Sequence, residues 1–351
     1  MLDIYAGKTA LKMIKANGFT ADLFSDFLGA SGGPKWFTLF GLDKYLFGEF
    51  FHRRTTALNV IGSSAGAFRA ACFAQSNPVA AIDRLGKAYA QTVFETRATP
   101  KEVSQQAQNL LNVTLGEAGI TEIINNPVIK AHFIVAKAKG LVASEYRLLQ
   151  GAGLATSFVL NRISRKLLTW QYERYIYQQH ASELAINDPY CFKTHYSPLT
   201  QDNIKAALLA SGAIPMVMQG VNNIVGSPKG VYRDGGLIDY HFDFTIRGQG
   251  LTLYPHFTAE PKAGWFDKNL SRKVSLANYD NVVMLCPSAK FIASLPYQKI
   301  PDRTDFQALP TDKRIKYWHQ VLASSVQLAE EFSRYLNNPD SKKIKHLFHC
   351  V

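Results

Sequence analysis

Residues 56–74, T-A-L-N-V-I-G-S-S-A-G-A-F-R-A-A-C-F-A, constrain this chain more than any other stretch. An apolar, β-leaning run (Ala57, Leu58, Val60, Ile61) enters a Gly62-Ser63-Ser64-Ala65-Gly66 turn, and a small-residue helical pattern leaves it. In this strand–turn–helix context a G-x-S-x-G string describes a sharp turn whose central side chain projects from the strand end. Gly62 and Gly66 lack the Cβ atoms that would clash there. Ser64 then stands beside the first backbone N–H groups of a helix, which suits a nucleophile whose attack creates an oxyanion. The plainer alternative is a Gly/Ser loop that lets a helix pack closely on a sheet. Two further segments favour the nucleophile.

Upstream, residues 22–28 read as a strand, with Leu23, Phe24, Phe27 and Leu28 apolar, and Gly29-Ala30-Ser31-Gly32-Gly33-Pro34-Lys35 follows before a helix-like run opens at Trp36. A glycine-rich loop at a helix start offers backbone N–H groups to negative charge. A phosphate cradle is the rival reading, but the spacing matches neither a P-loop nor a dinucleotide fingerprint, and Pro34 removes a donor. An oxyanion hole needs about two donors, which Gly32 and Gly33 can supply. Downstream, a short strand ends in Asp234-Gly235-Gly236. Asp-Gly is a common turn dipeptide. The functional reading makes Asp234 the base that takes the Ser64 proton. A carboxyl with an ordinary pKa of ~4 is a poor base for a serine unless burial raises it.

Glycine loop, elbow and D-G-G in this order resemble the patatin-like phospholipases. The segment Ala206-Ala207-Leu208-Leu209-Ala210-Ser211-Gly212-Ala213-Ile214-Pro215 is similar to that family's small-residue helix ending in a proline. The resemblance spans roughly residues 23–239. It implies an α/β/α fold, a serine–aspartate dyad without histidine, hydrolysis of glycerolipid acyl esters through an acyl-enzyme, and no cofactor. Carried onto this chain, Ser64 matches the nucleophile, Asp234 the base, Gly32 and Gly33 part of the oxyanion loop, and Lys35 its basic position. Ala65 is expected to add an oxyanion donor, with Gly62, Gly66, Gly235 and Gly236 supporting the turns. The chain departs from the family at Ser31, where the first of three glycines is usual, at Trp36, where a glycine commonly follows the basic residue, and at Gly212, where alanine is usual.

At 351 residues and 47% apolar the chain has an ordinary globular composition and can bury a sizeable core. The β-α-β-α order of strand 22–28, helix 36–50, strand 57–61 and helix 65–75 argues for a mostly parallel sheet with both site loops at strand carboxyl ends. The expectation is one three-layer α/β/α domain over residues 1–351. Its motif-bearing core covers about 20–290, a helical insertion about 140–180, and a C-terminal helix about 311–336. Further elements are expected as helices at 8–17, from Pro78, and over 98–125 with breaks, and as strands at 131–139 and 281–286. Within the insertion, Leu160, Ile163, Leu167 and Trp170 form an apolar stripe with Arg162, Arg165 and Lys166 off it. That pattern fits an interfacial anchor, but an ordinary helix docked on the core with a solvated basic face is slightly favoured.

The formal net charge of +12 favours anionic partners. No nucleic-acid motif accompanies it, so a lipid substrate and peripheral contact with anionic membrane are the expected partners. Cys72, Cys191, Cys286 and Cys350 lie far apart, which suggests reduced thiols, and no cluster has metal-ligand spacing. No secretory signal or 18-residue apolar span is evident, so the expectation is cytoplasmic. Two other functions stay open. A Ser-Asp-His esterase or thioesterase would draw on His241, His256 or His319, with Asp239 and Asp243 as rival acids. A catalytically idle lipid- or partner-binding protein would keep the elbow for packing alone.

Overall fold

The computed structural model describes residues 1–94, 98–248 and 250–347. In chain order the strands are β1 (Leu2–Ala6), β2 (Phe24–Gly29), β3 (Leu58–Ser63), β4 (Ile129–Ala138), β5 (Tyr172–Gln178), β6 (Ile186–Asn187), β7 (Thr194–Pro198), β8 (Val221–Asn222), β9 (Val231–Asp234), β10 (Thr245–Ile246), β11 (Leu251–Pro255), β12 (Val282–Pro287) and β13 (Ile344–His346). Eleven of them form one sheet, ordered β13-β1-β12-β11-β2-β3-β4-β5-β7, with β9 also on β4 and β8 on β9. The run β12-β11-β2-β3-β4 is parallel throughout. β6 and β10 make a separate two-stranded ribbon.

Side-chain alternation along the central strands divides the interior. Phe27, Val60 and Phe133 face a large core built with helices such as Ala65–Phe73 and Pro78–Ala90, while their neighbours Leu28, Ile61 and Ile134 face a second core on the other side. On the second face Phe242, Phe244, Phe257, Ala263, Val274 and Tyr279 pack from the chain on either side of β11, with short 3₁₀ turns at Trp265–Asp267 and Leu276–Tyr279. The helix Lys8–Asn17, the capped helix starting at Pro78, and helices Pro100–Leu115 and Gly119–Asn125 lie where the sequence places them.

Several expectations need correction. The run after Trp36 is not one regular helix but a 3₁₀ segment Gly33–Leu39, an α-helix Phe40–Tyr45 and a π-turn Leu46–Phe50. The C-terminal helix is two helices, Thr311–Ser324 and Val326–Asn337. The break sits at Ser325, whose hydroxyl accepts the Gly41 N–H at 2.8 Å and donates to Leu322 O at 2.6 Å. A Cβ on Gly41 would lie 2.6 Å from Val326 N, so the close backbone approach, not the apolar period, decides the geometry there. The insertion at 140–180 is helical only in part. It holds the helix Arg147–Ile163 and a 3₁₀ segment Arg165–Trp170, and then returns to the sheet as β5, antiparallel to β4. The apolar stripe therefore does not lie on a single helix, and Arg165 is buried against Asp267 instead of solvated.

Candidate active site

β3 ends at Ser63, opposite Ile134 of β4, and β9 ends at Asp234, opposite the next residue, Val135. β3 runs parallel to β4 and β9 antiparallel, so their carboxyl ends meet along one edge of β4. That register brings Ser64 and Asp234 together across 170 positions of chain, and the Ser64 Oγ–H donates to Asp234 Oδ2 at 2.9 Å.

Ser64 has φ 54° and ψ −123°, a strained backbone that the following helix and both glycines hold in place. A Cβ on Gly66 would sit 1.7 Å from Gly29 O, and one on Gly62 would sit 2.1 Å from Gly66 O. The turn is also clamped by a residue that the sequence reading passed over. Ser211 Oγ accepts the Ser64 N–H at 2.9 Å and donates to Ile134 O at 2.7 Å. It lies in the small-residue segment, but nothing in its spacing marks it out. Ser211→Ala leaves both partners buried without their bond, at a cost of about 1–3 kcal/mol. The expected result is a lower denaturant midpoint and slower ester turnover, measured on the same preparation.

Asp234 is buried, and its second oxygen accepts the Gly236 N–H at 2.7 Å. Burial raises its pKa, and the Gly236 and Ser64 hydrogen bonds and the nearby Arg303 and Lys268 oppose that only in part, leaving it at about 6. Gly235 is required because a Cβ there would meet Ile134 O at 2.2 Å.

Gly33 adopts φ 56°, and the loop wraps the same cavity as the elbow, with Ser31, Gly32, Gly33, Ser64, Ala65, Asp234 and Gly236 all on its wall. Ser31 fills the first glycine's place as a structural tie. Its N–H donates to Tyr240 O at 3.0 Å and its hydroxyl donates to Ser63 O at 3.2 Å. Its amide is thus occupied, whereas the Gly32, Gly33 and Ala65 N–H groups have no acceptor among the described residues. Trp36 is buried within an aromatic cluster with Phe37 and Phe40. Gly212 has room for a methyl group, at 3.4 Å from the Phe68 ring.

Lys35 does not reach the cavity wall. Its ammonium lies 2.5 Å from Asp302 Oδ2. Burial pushes the Asp302 carboxyl up, but the Lys35 and Thr304 hydrogen bonds and the Lys35 charge outweigh it and hold the carboxyl at about 2. The neighbour, Arg303, lines the cavity with its stem against Gly33, and Lys268 faces it over the Tyr240 ring at 4.1 Å. Neither cation has a hydrogen-bond or ion-pair partner among the described residues. Both lie in the C-terminal third, where no motif signals them.

Among the described residues no histidine lines the cavity. His241 is buried, with Nδ1 accepting the Lys262 N–H, and stacks edge-on to His256, which is itself held by Thr258. Burial, reinforced by His256, keeps His241 neutral, far below its ordinary pKa. His319 lies on the helix Thr311–Ser324, and His195 pairs with Glu173. Asp239 is held by Arg174 at 2.6 Å, and Asp243 by Tyr190 and Asn278. Among the described residues Cys72, Cys191 and Cys286 are free thiols, and Cys350 lies outside them.

The cavity is large, about 1310 Å³, and mostly apolar, with Phe68, Leu85, Leu110, Leu209, Ile214 and Met218 along its walls. Its floor is a strained serine bonded to a buried carboxylate, which is equipped for acyl transfer. No helix among the described residues is long and apolar enough to cross a membrane. A crystal structure of VipD from Legionella pneumophila aligns with 94% of this chain and 70% of that one, at 13% identity and a TM-score of 0.38. A search of curated proteins finds no match. The family model for patatin-like phospholipases matches residues 53–241, more than half of the sequence and all of the stretch from the elbow to the D-G-G turn. The chain belongs to the patatin-like phospholipase family, whose members act on lipid acyl esters.

Proposed function

We propose that this protein hydrolyses carboxylic esters of lipids bearing an anionic headgroup, through an acyl-enzyme on Ser64. The observation that carries the reading is the 2.9 Å hydrogen bond between Ser64 and a buried Asp234 at the floor of a large apolar cavity. Asp234 takes the hydroxyl proton as Ser64 Oγ attacks the ester carbonyl, and the developing oxyanion is met by the Gly32, Gly33 and Ala65 N–H groups. The alcohol leaves with that proton. A water, deprotonated by Asp234, then attacks the acyl-enzyme and releases the fatty acid. A carboxyl poised near 6 is a far better base than an ordinary aspartate at neutral pH. We treat the sheet and its covering layers as one catalytic unit, since strands from both ends of the chain join it.

Lys268 and Arg303 support the anionic headgroup. They are cations with no direct ion-pair partner among the described residues, on the wall that also carries Ser64 and Asp234, and a phosphate beside the scissile ester would complete them. A phospholipid or lysophospholipid meets that description, and peripheral contact with anionic membrane is part of the same reading. Lys268→Met and Arg303→Gln are each expected to lower kcat/KM on such substrates by roughly 10-fold while leaving neutral p-nitrophenyl esters nearly unaffected. Equal losses on both substrate classes would remove the headgroup assignment.

The overall test is fatty-acid release from phospholipid vesicles and from p-nitrophenyl esters of graded chain length. Release by the parent that disappears in Ser64→Ala and Asp234→Asn but survives in His241→Gln supports the dyad. Loss in His241→Gln, with fold intact by circular dichroism, favours the histidine-dependent esterase. No release from any substrate favours a binding protein.

A further inference from the structure

The helix Arg147–Ile163 is built inside out. Its buried face carries Gln150, Gly153, Ser157 and Asn161, spaced three and four residues apart. The opposite face carries Leu148, Ala152, Ala155, Val159 and Ile163 at the same spacing. Leu148 is 89% exposed, Ile163 71% and Val159 56%, with Tyr146 and Trp170 also open to solvent. Scattered exposed apolar residues are ordinary, but a continuous apolar helix face turned outward is not.

Polar contacts hold this orientation. Ser157 Oγ lies within hydrogen-bond distance of Gly153 O, Gln171 Oε1 and the Tyr172 hydroxyl, its one proton shared between the first two acceptors. Asn161 donates to Asp267 and is bonded in turn by Arg272. Gln150 donates to Ser144 O and accepts the Met216 N–H. A Cβ on Gly153 would meet Val142 N at 2.7 Å. Rotating the helix to bury its leucines would break these bonds and force larger side chains into that contact. The apolar face is therefore a fixed outer surface.

Charge indicates what covers it. No acidic residue occurs between Tyr146 and Tyr172, whereas Arg147, Arg162 and Lys166 are exposed. None of these three has an ion-pair partner among the described residues. Arg147 also lines the cavity that holds Ser64, and Met216, bonded to Gln150, lines it too, as does the exposed Val217. The face thus adjoins the cavity that holds Ser64.

We infer that the outward face of helix Arg147–Ile163, with Tyr146 and Trp170, seats the protein on an anionic lipid bilayer with the cavity mouth against the headgroups. An amphipathic helix with a cationic rim and an aromatic anchor lies in the interface, apolar side down, and the cations add attraction to acidic lipid. This inference deepens the lipid-ester reading and rests on it for the choice of surface. The test separates the two.

The full chain carrying Ser64→Ala, so that no lipid is consumed, is mixed with phosphatidylglycerol/phosphatidylcholine vesicles and with pure phosphatidylcholine, and bound protein is measured by flotation. The expected result is binding that needs the anionic lipid and falls at least about 10-fold when Leu148→Asp and Ile163→Asp are added. Brominated lipid should quench a tryptophan signal that disappears in Trp170→Phe. In the background that keeps Ser64, the Leu148→Asp/Ile163→Asp variant should turn over a soluble short-chain ester at the parent rate and vesicle lipid more slowly. Undiminished vesicle binding by the double variant, or no quenching of Trp170, overturns the inference. So does a parent dimer that the double variant converts to monomer without either form binding vesicles, because the face would then join two copies. Vesicle binding through this face by a protein with no esterase activity would leave the docking surface standing and remove the enzymatic reading.

Discussion

Ser64→Ala and Asp234→Asn are each expected to lower ester turnover by roughly 10³-fold or more, and the double variant to lose little beyond either single one. On the proposed reading Ser64 and Asp234 act as one unit, as nucleophile and base. The Ser64 hydroxyl has Asp234 as its acceptor, and among the described residues no histidine lines the cavity to take over. The pH dependence should carry the signature of the buried carboxyl. With Asp234 at about 6, kcat/KM should fall about tenfold per unit below that pH and level off above it. An aspartate at its ordinary 3.8 would hold full activity down to pH 5.

The same shift makes a stability prediction with a definite sign. The pKa in the folded protein lies above the ordinary value, so folding favours the protonated form. That contribution is fully present below about 3.8 and is lost as pH rises through about 6. Asp234→Asn cannot ionise and should therefore gain stability relative to the parent between pH 4 and pH 8. Urea midpoints measured at both pH values check this. An active site that is less stable than its disabled variant is the expected trade-off between function and stability.

Gly66→Ala is expected to be the most damaging single methyl group in the molecule. The new carbon would lie 1.7 Å from Gly29 O, and both partners are backbone: the end of β2 and the start of the helix behind Ser64. No rotamer change relieves such a contact. Either the helix lifts off the sheet, which misplaces Ser64 and Ala65 together, or β2 shifts against β3. Overpacking of this kind costs about 3 kcal/mol or more, seen as a lower urea midpoint or as insoluble expression. Gly151→Ala is the matched control. Gly151 sits within the helix Arg147–Ile163 with open space around its Cβ position, so the substitution should stabilise by about 0.5–1 kcal/mol. Similar effects at the two positions would contradict the close-approach account.

The pairing of Ser64 with Asp234 was legible in the sequence because both sit in turns with strict local geometry. A G-x-S-x-G between strand and helix and a D-G-G after a strand each require small residues at fixed offsets, and the register on β4 joins them. The surroundings were not legible, for physical reasons. Lys268 and Arg303 reach the cavity from irregular chain far from either motif, where no periodicity distinguishes a wall residue from a surface one. Ser211 looks like any small helix residue until its two hydrogen bonds are seen. In the helix Arg147–Ile163 amphipathic periodicity marks two faces but not which of them points inward. Of the stripe expected to dock on the core, Ile163 and Trp170 stay exposed, because the hydrogen-bonded side chains of Gln150, Ser157 and Asn161 take much of the helix's buried side. The break at Ser325 escaped for a related reason, since the apolar period continues across it while the Gly41 backbone forces the turn.

The measurement that tests the central claim most directly is covalent labelling with a fluorophosphonate, read by intact mass and peptide mapping across pH 4–8. The account predicts one adduct, on Ser64, forming at a rate that rises through about pH 6, strongly slowed in Asp234→Asn and absent in Ser64→Ala. No adduct on the folded parent, or an adduct that persists in Ser64→Ala, would contradict it.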